Sequence, residues 1–338
     1  MPELYKDYPL DNLNTFGVAA NAKYFIKPKS LSELVESVKN IIPKDLPMLV
    51  LGGGSNVLFT KDFNGVIIQP SLTGIEEIHS DNDSVTLSVG AGEVWDNFVE
   101  YTVYKGLCGI ENLSLIPGSV GASPIQNIGA YGVEAKDCIE MVMGLNLESM
   151  EMVEYTKDQC QFDYRNSIFK NELKGKVIIT HVFFKLSKHL TPITHYGNLE
   201  DELKTIGYKT LENIRKAVIS IRNSKLPDPA KLGNAGSFFK NPIVHIDTVS
   251  ELKKRFEKVP FYPVNDNSVK LPAGWLIEQC GWKGKRIGNV GVHQNQALVL
   301  VNYGGANGIE VLSLAEMVRE SVFKNFSVSL EMEVNVIK

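Results

Sequence analysis

Between Glu111 and Glu134 the chain carries no charged side chain, while glycine recurs at 118, 121, 129 and 132. Bare backbone lets main-chain N–H groups approach an anion closely and adopt positive φ, so such a loop can hold a pyrophosphate without a cation. Ile116, Val120, Ile125 and Ile128 add an apolar wall for a flat ring, and the combination suits a dinucleotide cofactor better than a bare nucleotide. A second glycine turn, Gly52-Gly53-Gly54-Ser55-Asn56, follows the apolar run Met48 to Leu51. Neither turn fits G-x-x-x-x-G-K-[ST] or G-x-G-x-x-G in its strand-to-helix setting, which disfavours a P-loop or a Rossmann fold.

Further along, Gly233 to Pro242 holds Ser237, Lys240 and Asn241 between glycines and a proline. Ser237 lacks a G-x-S-x-G elbow and a recognisable base nearby, so proton donation suits it better than acyl transfer; capping a turn is the plainer alternative. Arg165 sits among apolar and aromatic neighbours, where a guanidinium needs an anion or an acid, and Asp163 offers a purely structural partner. Glu331 and Glu333 share one face of a final strand and need water or a counter-charge. Lys225, Lys240, Lys283, Lys285 and Arg286 could gather around phosphates, although surface lysines are ordinary.

These residues need a scaffold, and 338 residues with 43% hydrophobic content supply two or three domains with a sizeable core. The first residues show no export signal and no run reaches bilayer length, so a cytoplasmic protein is expected. Cys108, Cys138, Cys160 and Cys280 are scattered and read as reduced thiols. The six histidines lack metal-ligand spacing, and a net charge of −4 with mixed signs argues against a nucleic-acid surface. Helices are expected after the cap at Ser30 to about Asn40, from Val94 to Lys105 with Gly106 closing it, over Leu211 to Ser224, near Gly274 to Gln279 and from Glu310 to Lys324. Strands are expected at Met48–Leu51, Val66–Gln69, Ser84–Val89, Lys176–Lys185, Ala297–Val301 and Val328–Ile337, giving a mixed α+β chain with an irregular stretch after Leu186.

Taken in order, Asn14-Thr-Phe-Gly17, Leu51 to Leu58, Ile116 to Gly121 with Pro124 to Gly132, Tyr164 to Phe169, Gly233 to Pro242 and Leu330 to Val334 resemble the motifs of UDP-N-acetylenolpyruvoylglucosamine reductases. The resemblance spans almost the whole chain, and Thr194 to Leu199 is similar to the tyrosine-bearing loop of the type I subgroup. It implies an α+β fold: a two-subdomain FAD-binding unit of the vanillyl-alcohol-oxidase (PCMH) type over 1–70 and 71–207, and a substrate-binding α+β domain over 208–327 that covers the substrate. The last strand, 328–338, is available to join the first subdomain.

The implied activity is reduction of the enolpyruvyl ether of UDP-N-acetylglucosamine to UDP-N-acetylmuramate, for peptidoglycan precursors, with NADPH as co-substrate and no obligate protein partner. Non-covalent FAD is implied at Gly52, Gly53, Gly54, Ser55, Asn56, Pro117, Gly118, Ser119, Gly121, Ala122, Ser123, Gln126, Ile128 and Gly129. By the same resemblance Ser237 is the proton donor, Arg165 faces the developing enolate charge and Glu333 lies at the same carboxylate, kept neutral by a raised pKa. Tyr196, Lys225, Asn241, Lys283 and Gln296 are implied substrate contacts. Two departures stand out: Met332 replaces a usual proline and Asn335 a common basic residue, leaving Glu331 as the alternative to Glu333. A non-covalent sugar or lactone oxidase of the same architecture is the rival enzyme class, and a nucleotide-sugar sensor the non-enzymatic one.

Overall fold

Val66, Ile67 and Ile68 form an unbroken apolar run that reads as a strand covered on both faces, and the computed structural model, which describes residues 2–338, buries all three. Its contacts divide into two units: one runs to Tyr8 and continues over Ala22–Gly54 and Asn64–Asn223, the other comprises Pro9–Asn21, Ser55–Phe63 and Ser224–Lys338.

In the first unit Leu4–Pro9, Asn21–Ile26, Phe63–Ile68 and Met48–Val50 form a sheet in that order, the last two strands parallel. Ile26, Val66 and Ile68 bury one face together with Leu34 of the helix Leu31–Glu36 and with Leu145 and Ile178. Leu145 and Ile178 belong to a five-stranded antiparallel sheet ordered Met152–Thr156, Ile139–Asn146, Val177–Ser187, Ser84–Gly90 and Ile75–Ser80. Over it lies the helix Trp95–Tyr104, whose buried residues Trp95, Phe98, Val99, Thr102 and Val103 recur at helical spacing. Trp95 and Phe98 pack on Phe184 with ring centroids 5.8 and 4.9 Å away. Gly106 then turns the chain at φ +71°, as its position after the helix predicts.

The helix expected after Ser30 begins on that cap and passes into a π turn at Ser37–Ile41. Leu199–Ile206 and Leu211–Lys225 pack Leu199 and Leu203 against Ile214, Ala217, Val218 and Ile221. The boundary expected after residue 207 falls between these two helices, and the first unit continues to Asn223. Arg215 fastens the second helix to Asp96 on Trp95–Tyr104 through two hydrogen bonds of 2.6 and 3.0 Å. Asp96 also accepts the N–H of Leu115, a branched residue held at φ +59° near the start of the uncharged run.

In the second unit Gly233–Ser237, Val299–Asn302, Val290–Val292 and Arg286–Ile287 form an antiparallel sheet. The helix Gly308–Phe326, opened by an Asn307/Glu310 capping box, contributes buried Val311, Leu314, Ala315, Val318 and Val322. A three-stranded sheet of Ile243–His245, Ser268–Lys270 and Tyr262–Asn265 accompanies it. The expected closing strand is shorter than its hydrophobicity suggests: Asn335–Ile337 pairs in parallel with Val57–Phe59, while Met332 makes one bridge to Phe239. The chain cannot run straight because its two halves serve different partners. No helix among the described residues is long and apolar enough to cross a membrane.

Burial opposes ionisation of Asp96, but the Arg215 hydrogen bonds and the Leu115 N–H outweigh it and hold the carboxyl below its ordinary value. Its stabilising contribution is therefore present above the unfolded-state pKa and disappears as pH falls through the lower folded-state pKa. Arg215→Met is expected to cost about 3 kcal/mol at neutral pH by leaving that charge unpaired, and the deficit should shrink at acid pH. Urea unfolding of both proteins across pH checks this.

Candidate active site

The two glycine turns found separately in the sequence meet in the first unit. A Cβ on Gly52 would lie 2.5 Å from Ser119 Oγ, and one on Gly53 2.8 Å from Gly118 Cα, so Gly52 and Gly53 must lack side chains for the turns to touch. Gly54 and Gly118 adopt φ of +64° and +123°, and Gln69 braces the pair by donating to the Gly52 carbonyl at 3.0 Å. The result is a backbone-lined cradle following the Met48–Val50 strand.

Part of the uncharged run is occupied with building itself. The N–H groups of Val120 and Gly121 donate to Glu93 and Ala91, and those of Ala122 and Ser123 to Ser119 and Val120. Ser123 also gives its hydroxyl to Val120 at 2.7 Å, and Gly121 is glycine because a Cβ would sit 2.6 Å from that of Ala91. Any ligand role of Gly121, Ala122 and Ser123 is thus one of surface and shape, since these backbone donors already have acceptors. At the far end of the run, Arg165 Nη2 donates to Gly129 O at 2.6 Å and Nη1 to Asn127 O at 3.4 Å. Arg165 itself holds φ +54°, and its guanidinium lies 5.6 Å from the Tyr164 ring centre. Asp163, the structural partner considered from sequence, accepts the Tyr164 N–H at 2.7 Å.

The second unit brings the segments that carry Ser237 and Glu333 side by side. Lys240 N–H bonds to Glu331 O and Glu333 N–H to Phe238 O, flanking the Phe239/Met332 bridge. Asn56 donates to Glu333 O at 3.2 Å and accepts from Asn335, so a cofactor candidate and the acid candidate share one network. Lys240 Nζ meets the carboxylate of Glu331, whose side chain is 71% exposed, so Glu331 already has its counter-charge. The opening motif also falls here: Asn234 N–H bonds to Thr15 O, and Asn302 donates to Phe16 O at 2.9 Å. A Cβ on Gly233 would lie 2.2 Å from that same Phe16 oxygen.

Among the substrate candidates, Asn241 accepts the Ala273 N–H at 2.9 Å at the start of the helix Ala273–Gln279, and Gln296 accepts that of Leu298. Lys283 pairs with Glu278 at 3.0 Å, and Lys225 is exposed. Tyr196, in the first unit, is 45% exposed. Its loop is pinned by Asn112, which donates to Tyr131 O and Ile193 O and was overlooked in the sequence, although it opens the uncharged run. Lys285 and Arg286 lie over the rings of Trp282 and Tyr303 instead of gathering with the other cations.

Thiol and imidazole chemistry finds little support in these surroundings. Burial pushes the Cys138 and Cys160 thiols up to about 12 and Cys108 up to about 11, while it lowers the His181 and His293 pKa values. No group of three or more His, Cys, Asp or Glu able to hold a metal occurs among the described residues.

Residues 22–149 match the family model of an FAD binding domain, and 228–337 that of the UDP-N-acetylenolpyruvoylglucosamine reductase C-terminal domain. The UDP-N-acetylenolpyruvoylglucosamine reductase of Flavobacterium johnsoniae is 48% identical over 99% of this chain and 100% of its own. That of Bacteroides fragilis is 46% identical over 98% and 99%. The crystal structure of the Thermus caldophilus enzyme superposes with a TM-score of 0.69 at 23% identity, covering 100% of this chain and 99% of its own, and shares the fold.

Gly53→Ala must displace the Gly118 backbone rather than a flexible side chain, and an overpacked contact of this kind costs about 1–3 kcal/mol. Urea denaturation should show that loss, whereas Gly175→Ala, with no atom within 4 Å of its Cβ, should show only the smaller penalty of its φ of +73°.

Proposed function

Because the chain belongs to the UDP-N-acetylenolpyruvoylglucosamine reductase family, we propose that it is an FAD-dependent oxidoreductase reducing the enolpyruvyl ether of UDP-N-acetylglucosamine to UDP-N-acetylmuramate for peptidoglycan precursors. NADPH is the reductant. The observation that carries this reading is the close contact of the Gly52–Gly53 turn with the Gly118–Ser119 turn, which leaves no room for a side chain on Gly52 or Gly53. The turns fit a flat cofactor bearing a pyrophosphate: Gly52, Gly53, Gly54, Ser55, Asn56, Pro117, Gly118 and Ser119 would hold the polar part, with Gln126, Ile128 and Gly129 beside it. FAD held there would supply hydride-transfer chemistry between NADPH and the enolpyruvyl carbon.

The protein's side chains manage the charge that this addition creates on the substrate. Arg165 stabilises the enolate, and its anchoring on the Asn127 and Gly129 carbonyls fixes the guanidinium's direction in advance. Ser237 delivers the proton next to the ether oxygen. Glu333 acts as a neutral hydrogen-bond donor at the same carboxylate, because an ionised acid there would oppose the developing charge. Its role is assigned over that of Glu331, which Lys240 engages. Tyr196, Lys225 and Lys283 meet the diphosphate, with Asn241 and Gln296 on neutral groups; Lys283 would exchange Glu278 for phosphate. A supply of NADPH and nucleotide sugar, together with separate buried thiols, fits the cytoplasm.

Ser237→Ala should leave flavin bleaching by NADPH intact and slow recolouring by the enolpyruvyl sugar at least about a hundredfold. Equal loss in both anaerobic half-reactions refutes the assignment, and recolouring by air alone would indicate an oxidase. Glu333→Gln, which keeps a donor, should retain far more activity than Glu333→Ala. A titration of the liganded enzyme that finds Glu333 ionised at neutral pH would overturn its neutral role.

A further inference from the structure

We propose that Asn234 is the positioning residue for Ser237, acting through a β-bulge that turns the hydroxyl onto its working face; this deepens the reading of Ser237 as proton donor and rests on it. Asn234 pairs with Val301 and Ser237 with Val299, so the strand carrying Ser237 accommodates one residue more than its partner. Without the bulge, Gly236 would lie opposite Val299 and Ser237 would project from the other side of the sheet, because side chains alternate. The extra residue gives that place to Ser237, a use of bulges that recurs beside active sites.

The side chain of Asn234 holds this irregularity in place. Its Oδ1 accepts the Gly236 N–H at 2.9 Å, and its Nδ2 donates to Pro227 O at 3.1 Å and Leu232 O at 2.8 Å. The residue is only 2% exposed, and its own N–H is bonded to Thr15 O. All of the side chain's strong hydrogen bonds therefore act on the segment from Pro227 to Gly236, and one of them sets Gly236, at φ +67°, immediately before Ser237. Beyond the bulge Ser237 pairs with Val299 at the strand's end, and Phe238 N–H bonds to Leu298 O. Asn234 thus fixes the point at which the strand changes phase, without needing to touch the substrate.

The test follows both half-reactions of the holoenzyme by flavin absorbance in Asn234→Ala, Ser237→Ala and the double variant. Asn234→Ala is expected to retain FAD and be reduced by NADPH within about threefold of wild type, but to recolour with the enolpyruvyl sugar at least about thirtyfold more slowly. If Asn234 works through Ser237, the double variant recolours no more slowly than Ser237→Ala alone. Multiplying losses, or parallel decline of both half-reactions, would overturn the inference. Normal recolouring of Asn234→Ala beside a disabled Ser237→Ala overturns it while leaving the proton-donor reading intact; normal recolouring of Ser237→Ala removes both.

Gly236 supplies a second pair of variants should Asn234→Ala fail to fold. No atom lies within 4 Å of a Cβ at Gly236, so Gly236→Ala perturbs the left-handed backbone without a clash. Gly236→Asn, larger but tolerant of that conformation, should recover most of the recolouring rate lost in Gly236→Ala. A simple steric obstruction would make asparagine the worse of the two and would contradict the bulge as the cause.

Discussion

Everything attributed to the second unit depends on one short stretch being paired from both sides. Residues 233–240 cannot keep their shape alone, since three of the first four favour turns or conformational freedom. Val299–Asn302 binds one edge, and Thr15 and residues 331–333 bind the other. Backbone hydrogen bonds contribute little individually over those made to water, but a buried strand that lost one side would leave several donors and acceptors unsatisfied. Ser237 and Glu333 are consequently set by main-chain pairing, and their side chains need no direct mutual contact to keep register.

The first unit meets a different constraint, that of bringing two uncharged glycine turns into contact. The Gly118–Ser119 turn leaves no room for side chains on Gly52 and Gly53, while Asp96 and Arg215 restrain the entry to the former turn at Leu115. Charge is kept just outside: Arg165 grips the carbonyls of Asn127 and Gly129 at the end of the run.

Much of this was legible in the sequence because it was written in composition and period. The glycine turns, the absence of charge from 112 to 133, and the apolar spacing in Trp95–Tyr104 each reflect one local constraint, and each has its counterpart in the fold. What could not be read was pairing across the chain. Asn112 and Asn234 look like ordinary turn residues until their amides are seen bonded to Ile193 and Pro227. Val328 to Ile337 looks like one strand, because hydrophobicity does not say that its halves belong to Phe239 and to Val57–Phe59. The equivalence of Glu331 and Glu333 was broken only by Lys240, a residue ninety-odd positions away in the chain.

The bridge at Met332 also bears on which amino acids that position can accept. Its two hydrogen bonds use the carbonyl of Glu331 and the N–H of Glu333, so the amide nitrogen of residue 332 itself takes no part. An imino acid would forfeit nothing in the ladder, and the thioether chain satisfies the same register. The exchange between a cyclic and a linear side chain at this point is therefore neutral for pairing, and sequence drift there need not disturb the carboxyl that follows.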